Sequence, residues 1–240
     1  MPNESDLESY FSDQLSTRLL FSVATTEIPA TDLCEPELEK LSEMRHESRR
    51  ASWLKGRQAL KSLIAKLSLI TSTPSYDSAA TAGAPAARRL LTLPTNPTYI
   101  QIDTTKLPVP HPCLSLTHSV DLAIAVASVD ISSGLGIDLE SNREVRAATT
   151  RFYLNETEHK QISSITSPIP NDDLLRLWTA KESLFKSDLK NKDMTILKYA
   201  MEDARKLTGS ASIQINGEMR HFKYASKKFD QHWLTVSIAV

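Results

Sequence analysis

The chain has 240 residues, of which 40% are hydrophobic and 24% are charged, and its formal net charge is −1. This length and composition indicate a globular protein with one large domain or two small ones and enough apolar residues for a core. A net charge so close to zero argues against a general nucleic-acid-binding protein, which normally carries a basic excess.

Several features predict a protein of the reducing cytoplasm with no membrane partner. The amino terminus is acidic and lacks the basic start and apolar stretch of a secretory signal. The longest apolar run, Leu122 to Val129, is too short to span a bilayer. Cys34 and Cys113 have neither the spacing of a metal site nor that of a redox pair.

The first informative element is a predicted helix with an apolar stripe and a basic flank. Arg57 flanks the stripe, and Arg49 lies about two turns earlier on nearly the same side. Guanidinium groups suit phosphate because their planar fork donates two hydrogen bonds at once. A solvated basic face, relieved by Glu43 and Glu47, is the alternative interpretation. The apolar stripe consists of Trp53, Leu60, Leu63, Ile64 and Leu67.

A proline-rich segment follows this helix. Residues 71–98 contain four prolines among alanines, serines and threonines, with little periodic hydrophobicity. This composition predicts an inserted flexible loop on the surface, to which we assign no chemistry.

The motif Ser115-Leu116-Thr117-His118-Ser119 leads into an apolar strand that begins at Leu122. Thr117 and His118 could donate hydrogen bonds to a diphosphate, and His118 could also transfer a proton. A structural histidine is the alternative. The serines lack a nucleophile elbow, and the scattered glycines form no Walker loop, so neither a serine hydrolase nor an ATP-binding protein is indicated.

Two carboxylates come next, in Gly136-Ile137-Asp138-Leu139-Glu140. Alternating residues of a strand share a face, so Asp138 and Glu140 can present their oxygens to one point. Glu182, which follows Glu140 by 42 residues, could supply a third ligand. Magnesium binds few protein groups and keeps part of its hydration, so the three carboxylates predict a magnesium site beside a phosphate.

Glu182 lies on a helix that we expect to begin at Asn171, acting as the N-cap. Lys181 falls inside the apolar stripe of this helix, while Glu182 and Lys186 lie on its flank, one turn apart. The lysines indicate an anionic substrate; the alternative is a snorkelling Lys181 beside an intrahelical Glu182–Lys186 ion pair. The stripe comprises Leu174, Leu177, Trp178, Leu184, Phe185 and Leu189.

Because Trp53 to Lys61 aligns without gaps on Trp178 to Lys186, we also expect two pseudo-symmetric halves, residues 1–130 and 131–240.

Four motifs in this order resemble the 4'-phosphopantetheinyl transferases that activate carrier proteins, especially the monomeric, surfactin-synthetase-activating type. They are Arg49-Arg50-x-x-Trp53-x-x-Gly56-Arg57, the histidine motif at 115–119, the carboxylate motif at 136–140 and Trp-x-x-Lys-Glu-Ser-x-x-Lys at 178–186. The resemblance spans about Arg45 to Val240. It implies an α+β fold in which each half is a small antiparallel sheet packed with a long helix, and an active site at the interface between the halves.

The resemblance also implies residue roles. Asp138, Glu140 and Glu182 would bind Mg²⁺ together with the coenzyme A diphosphate. Glu182, Lys186 and His118 would form the catalytic set, with Glu182 or a metal-bound water as the base. Coenzyme A would be held by Arg49 and Arg57 at its 3'-phosphate, by Thr117 and His118 in the phosphate region, and by Asp138, Lys181 and Lys186 at the diphosphate.

The implied reaction is attack by a serine hydroxyl of an apo acyl, peptidyl or aryl carrier protein on the β-phosphate of coenzyme A, which releases adenosine 3',5'-bisphosphate. The resemblance places the carrier near Phe152, Tyr153 and Leu154, before a predicted capping box at Asn155 to Glu158. Ordinary core packing of these three residues is the alternative.

The family's glycine-containing turn after the second lysine is missing from this chain. A catalytically silent protein that binds coenzyme A or carrier domains therefore stays an alternative, as does a magnesium-dependent phosphohydrolase.

Overall fold

The structure is a computed structural model, and it describes residues 2–71, 112–131, 133–165, 168–191 and 196–240. Helices and antiparallel sheets make up this part of the chain, so the predicted α+β class is confirmed. The predicted loop at 71–98 lies outside the described residues, except for Thr71, which ends a helix. The chain divides into two compact units. The amino-terminal unit comprises residues 4–8 and 18–132, and the carboxyl-terminal unit comprises residues 1–3, 9–17 and 133–240.

The amino-terminal unit is built on a sheet with the strand order β1-β3-β2 and antiparallel pairing throughout. Helix α3 covers this sheet with a stripe of buried residues that includes Leu60, Leu63 and Ile64, as the sequence periodicity predicts. Trp53 is only partly buried and packs instead on a small cluster around Leu41. In the described residues up to 131, the α-helices and strands are α1 (Glu4–Leu15), β1 (Leu20–Ala24), α2 (Glu35–Ser42), α3 (Glu47–Thr71), β2 (Cys113–His118) and β3 (Ala123–Ser128).

The carboxyl-terminal unit is built on a larger antiparallel sheet with the order β4-β8-β7-β6-β5. Helix α5 packs across β4, β8 and β7 and buries its apolar stripe there. Asn155 begins α4 with the predicted capping box, because its side chain accepts from the Glu158 amide. The elements are β4 (Leu135–Ser141), α4 (Glu156–Ser163), α5 (Asn171–Ser187), β5 (Ala200–Met201), β6 (Thr208–Ile215), β7 (Glu218–Phe229) and β8 (His232–Ala239).

Helix α5 begins at Asn171 as expected, but the N-cap assignment is wrong, since Pro170 occupies that position. The Asn171 amide is used elsewhere: its Oδ1 accepts from the Val145 amide at 2.7 Å, and its Nδ2 donates to the Arg143 carbonyl at 2.9 Å. It thereby fastens the segment after β4 to the start of α5. Leu189, predicted to be buried, lies beyond the end of α5 with 47% of its surface exposed.

Gly136 explains how closely α5 approaches β4. A Cβ at this position would lie 2.0 Å from the Ser183 carbonyl oxygen and 2.7 Å from the Ser187 amide nitrogen. Only a residue without a side chain permits this contact, so the helix backbone rests directly on the strand. Asp138 and Glu140 share a strand face with Gly136. The close packing therefore brings Glu182 and Lys186, which directly precede Ser183 and Ser187 in the chain, near this face of the strand.

Within the ranges that the structure describes, no helix combines the length and the apolar character needed to cross a bilayer.

Candidate active site

The contact between β4 and α5 brings Asp138, Glu182 and Lys186 together. Lys186 Nζ donates to Asp138 Oδ1 at 2.7 Å and to the Ile137 carbonyl at 3.2 Å, and it lies 3.9 Å from Glu182 Oε2. Asp138 is buried, whereas Glu182 and Lys186 keep 32% and 24% of their side-chain surface exposed. The cluster therefore lies at the edge of the core, where a ligand can reach it.

Burial and the neighbouring Asp138 carboxylate raise the pKa of Glu182 to about 7, and Lys186 opposes this shift only in part. Glu140 adds a smaller contribution in the same direction. Burial lowers the pKa of Lys186, but the Asp138 and Glu182 carboxylates outweigh it and raise that pKa overall. The site thus concentrates negative charge that Lys186 only partly compensates.

Glu140 is held by Arg143 rather than by Lys186. Arg143 Nε lies 2.8 Å from Glu140 Oε2, and Nη2 lies 3.1 Å from Oε1, so the fork binds both carboxylate oxygens. The Arg143 guanidinium also lies over the Trp178 ring, 5.9 Å from its centroid. Sequence reasoning missed Arg143, because its contact depends on how the chain turns after β4.

A magnesium ion suits the chemistry of this donor set. Asp138 and Glu182 both approach the Lys186 ammonium group, at 2.7 and 3.9 Å. Magnesium takes oxygen ligands and is usually held by one or two carboxylates, with substrate phosphates and waters completing its shell. As the side chains stand in the described residues, no three His, Cys, Asp or Glu groups are arranged to hold a metal together. Two carboxylates converge, and the third, Glu140, is paired with Arg143.

Lys181 lies away from this cluster in the core of the carboxyl-terminal unit. It is fully buried, and its Nζ donates to Glu158 Oε1 at 2.6 Å, to Oε2 at 2.7 Å and to the Tyr199 carbonyl. Glu158 also accepts from the amides of Asn155 and Met201. Burial lowers the pKa of Lys181, and Glu158 opposes that shift. All three ammonium protons are used, so no donor is left for the predicted diphosphate contact.

The sequence pattern placed Lys181 in the apolar stripe, but sequence reasoning missed its partner Glu158. The available signal was local: Glu158 completes the capping box of α4. That Lys181 pairs with it is a tertiary contact over 23 residues.

The predicted coenzyme A residues of the amino-terminal unit lie on α3 and at the end of β2. Arg57 is buried, with its guanidinium 5.0 Å from the Trp53 ring centroid, and burial lowers its pKa to about 10 against the opposing effect of Glu37. A Cβ at the neighbouring Gly56 would lie 3.8 Å from the His118 ring. Two predicted motifs therefore meet here. Thr117 is buried, while His118 and Arg49 are exposed.

The three residues predicted to face the carrier protein differ in how far they are buried. Tyr153 and Leu154 are core residues with 0% and 5% of their surface exposed, whereas Phe152 is 58% exposed. The Arg151 guanidinium lies 4.8 Å from the Phe152 ring centroid. Of the three, only Phe152 can take part in a contact with another protein.

Residues 134–237 match the family model described as the 4'-phosphopantetheinyl transferase superfamily. The match extends from β4 to β8 and includes Asp138, Glu140, Glu182 and Lys186. No curated protein matches the chain.

Replacing Lys181 by Met should destabilise the protein by about 3–5 kcal/mol, because it leaves the buried Glu158 charge without its partner. The control is Lys160→Met, which breaks the exposed Lys160–Glu156 pair of α4 and should cost less than about 1 kcal/mol. Denaturant unfolding measures both. The double variant Lys181→Met, Glu158→Gln should recover part of the loss. A Lys181→Met protein as stable as the parent would contradict the pairing.

Glu182→Gln should stabilise the metal-free protein at pH 8 but not at pH 5. The pKa of Glu182 is raised to about 7 from an ordinary value of 4.5, so the folded state gains from the bound proton below pH 4.5 and loses that gain as the pH rises through 7. Melting temperatures in EDTA across this range measure the difference. The exposed Glu156→Gln should show no such trend, and a difference that is constant with pH would refute the interpretation.

Proposed function

We propose that the protein is a magnesium-dependent transferase that moves 4'-phosphopantetheine from coenzyme A to a serine of an apo acyl, peptidyl or aryl carrier protein, releasing adenosine 3',5'-bisphosphate. The observation that carries this proposal is the cluster of Asp138, Glu182 and Lys186 within the segment that matches the superfamily model. Phosphopantetheine transfer is the activity for which that superfamily is named.

Asp138, Glu140 and Glu182 are the proposed ligands of magnesium. When bound, the ion would neutralise negative charge on the diphosphate and orient it for attack. Asp138 is the best-placed ligand, because it is buried and oriented by Lys186. Glu182 is more exposed and faces the same point from α5.

The cationic side chains have the proposed role of holding coenzyme A. Lys186 is close to both Asp138 and Glu182, so it suits the diphosphate. For the 3'-phosphate we propose Arg49 and Arg57, with Thr117 and His118 next to the phosphate region. For Lys181 we propose a supporting role instead of the diphosphate contact, because Glu158 and Tyr199 take its donors.

The chemistry requires no nucleophilic side chain. The serine oxygen forms a bond to the β-phosphorus while the bond from that phosphorus to the bridging oxygen breaks, so the adenosine bisphosphate leaves with the bridging oxygen. The serine proton needs an acceptor, and Glu182 would either accept it or orient a water that does so. The Lys186 ammonium group can donate to the leaving phosphate and stabilise its growing charge.

The test is to incubate the protein with Mg²⁺, coenzyme A and a panel of apo carrier domains and to read intact masses. A phosphopantetheine mass increment on at least one carrier is expected, and it should be lost on replacing Mg²⁺ with EDTA. Glu182→Gln should lower the rate by at least about 10²-fold, while Glu156→Gln, on the exposed face of α4, should leave it unchanged.

No increment on any carrier, although the protein binds coenzyme A tightly, would favour the catalytically silent alternative. Release of free phosphopantetheine without a carrier would favour a phosphohydrolase. Normal turnover by Glu182→Gln would remove Glu182 from the metal site.

A further inference from the structure

Arg143 differs from the other charged groups near the proposed metal site, because it pairs with both oxygens of one of the three carboxylates. Its guanidinium donates to both oxygens of Glu140, at 2.8 and 3.1 Å. A bidentate pair of this kind is stronger and more directional than a single ionic contact. Glu140 therefore has its coordinating oxygens occupied by a side-chain cation.

Arg143 interacts electrostatically with all three carboxylates of the cluster. Its hydrogen bond to Glu140 is the main cause of its raised pKa, and the Glu182 and Asp138 carboxylates add to the effect. Lys186 is the second cation of the cluster, 2.7 Å from Asp138 and 3.9 Å from Glu182. Two side-chain cations are thus distributed over three carboxylates, and in the residues that the structure describes no metal-ready group of three is assembled.

We infer that Arg143 is an internal counter-cation that competes with a divalent metal ion for Glu140. Glu140 becomes a metal ligand only when the guanidinium leaves it. This inference rests on the proposed function, since it takes magnesium as the ion.

The surroundings of the Arg143 side chain allow its guanidinium to move away from Glu140. Half of its side chain, 52%, is exposed, whereas the Glu140 side chain is 22% exposed. The guanidinium can therefore turn into water while the carboxylate stays in place. Its contact with the Trp178 ring, 5.9 Å from the centroid, is long and holds it only weakly.

Charge balance makes the exchange selective for divalent ions. Three ionised carboxylates against Lys186 and Arg143 leave one negative charge uncompensated. Exchanging Arg143 for a divalent ion neutralises the cluster, whereas exchanging it for a monovalent ion changes nothing. The charge balance therefore favours displacement of Arg143 by magnesium over displacement by sodium or potassium.

The test is Mg²⁺ binding by isothermal titration calorimetry at pH 8, with the full chain and without coenzyme A or carrier. Arg143→Gln should bind Mg²⁺ about three- to tenfold more tightly than the parent protein, because the competing cation is gone. The matched control is Arg205→Gln. Arg205 binds both oxygens of Asp203 with 49% of its side chain exposed, so its replacement makes the same charge change away from the cluster and should not alter the affinity.

Two further variants make the result decisive. Arg143→Lys keeps the charge but loses the fork, and its Mg²⁺ affinity should fall between those of the parent and Arg143→Gln. In a Glu140→Gln background, Arg143→Gln should bring no gain, because the contested carboxylate is absent.

Unchanged or weaker Mg²⁺ binding by Arg143→Gln would overturn the inference; weaker binding would mean that Arg143 orients Glu140 for the metal. Mg²⁺ binding by none of these proteins would also overturn it. Because no carrier is present, tighter binding by Arg143→Gln without transfer to any carrier would support the inference while the proposed function fails.

Discussion

The backbone of α5 rests on Gly136 of β4, and the candidate active site depends on this contact. A side chain at that position would overlap the Ser183 carbonyl and the Ser187 amide, which belong to one turn of the helix. Glu182 and Lys186 directly precede those two residues in the chain. The close packing therefore determines how near a helix carboxylate and a helix ammonium group come to the strand carboxylates, before any ligand is considered.

The charged side chains of α5 take part in two kinds of pairing. Lys181 and Glu158 are fully buried, and backbone groups satisfy their remaining hydrogen-bonding capacity. Such a pair contributes mainly by fixing one arrangement of α5 against its neighbours, because desolvation offsets much of its Coulomb energy. Lys186 and Arg143 are partly exposed and share their carboxylates with the site. A ligand can therefore reach these two cations, whereas it cannot reach the buried pair.

Local patterns were enough to predict much of this site from the sequence. Strand alternation placed Asp138 and Glu140 on one face, and helical spacing placed Lys181 in the apolar stripe with Glu182 and Lys186 on its flank. The capping box at Asn155 was readable for the same reason. The α+β class followed from the resemblance of the ordered motifs to a known family.

Contacts that depend on tertiary packing or on an irregular turn were not predictable. Glu158 and Lys181 are 23 residues apart and meet through their side chains, and Arg143 meets Glu140 only because of the turn after β4. Asn171 shows the same limit: its residue type favoured an N-cap, but its amide binds the backbone at Val145 and Arg143. The roles of Arg49, Arg57, Thr117 and His118 toward coenzyme A stay predictions.

The central claim is that Asp138, Glu140 and Glu182 bind one divalent ion beside the phosphates of coenzyme A. Its most direct test is a crystal structure with Mn²⁺ and coenzyme A, with diffraction data collected at the manganese absorption edge. The account predicts a single strong anomalous peak within coordination distance of all three carboxylates and of the diphosphate, with the Arg143 guanidinium moved away from Glu140. An anomalous peak elsewhere, or coenzyme A bound with Glu140 still paired to Arg143, would contradict it.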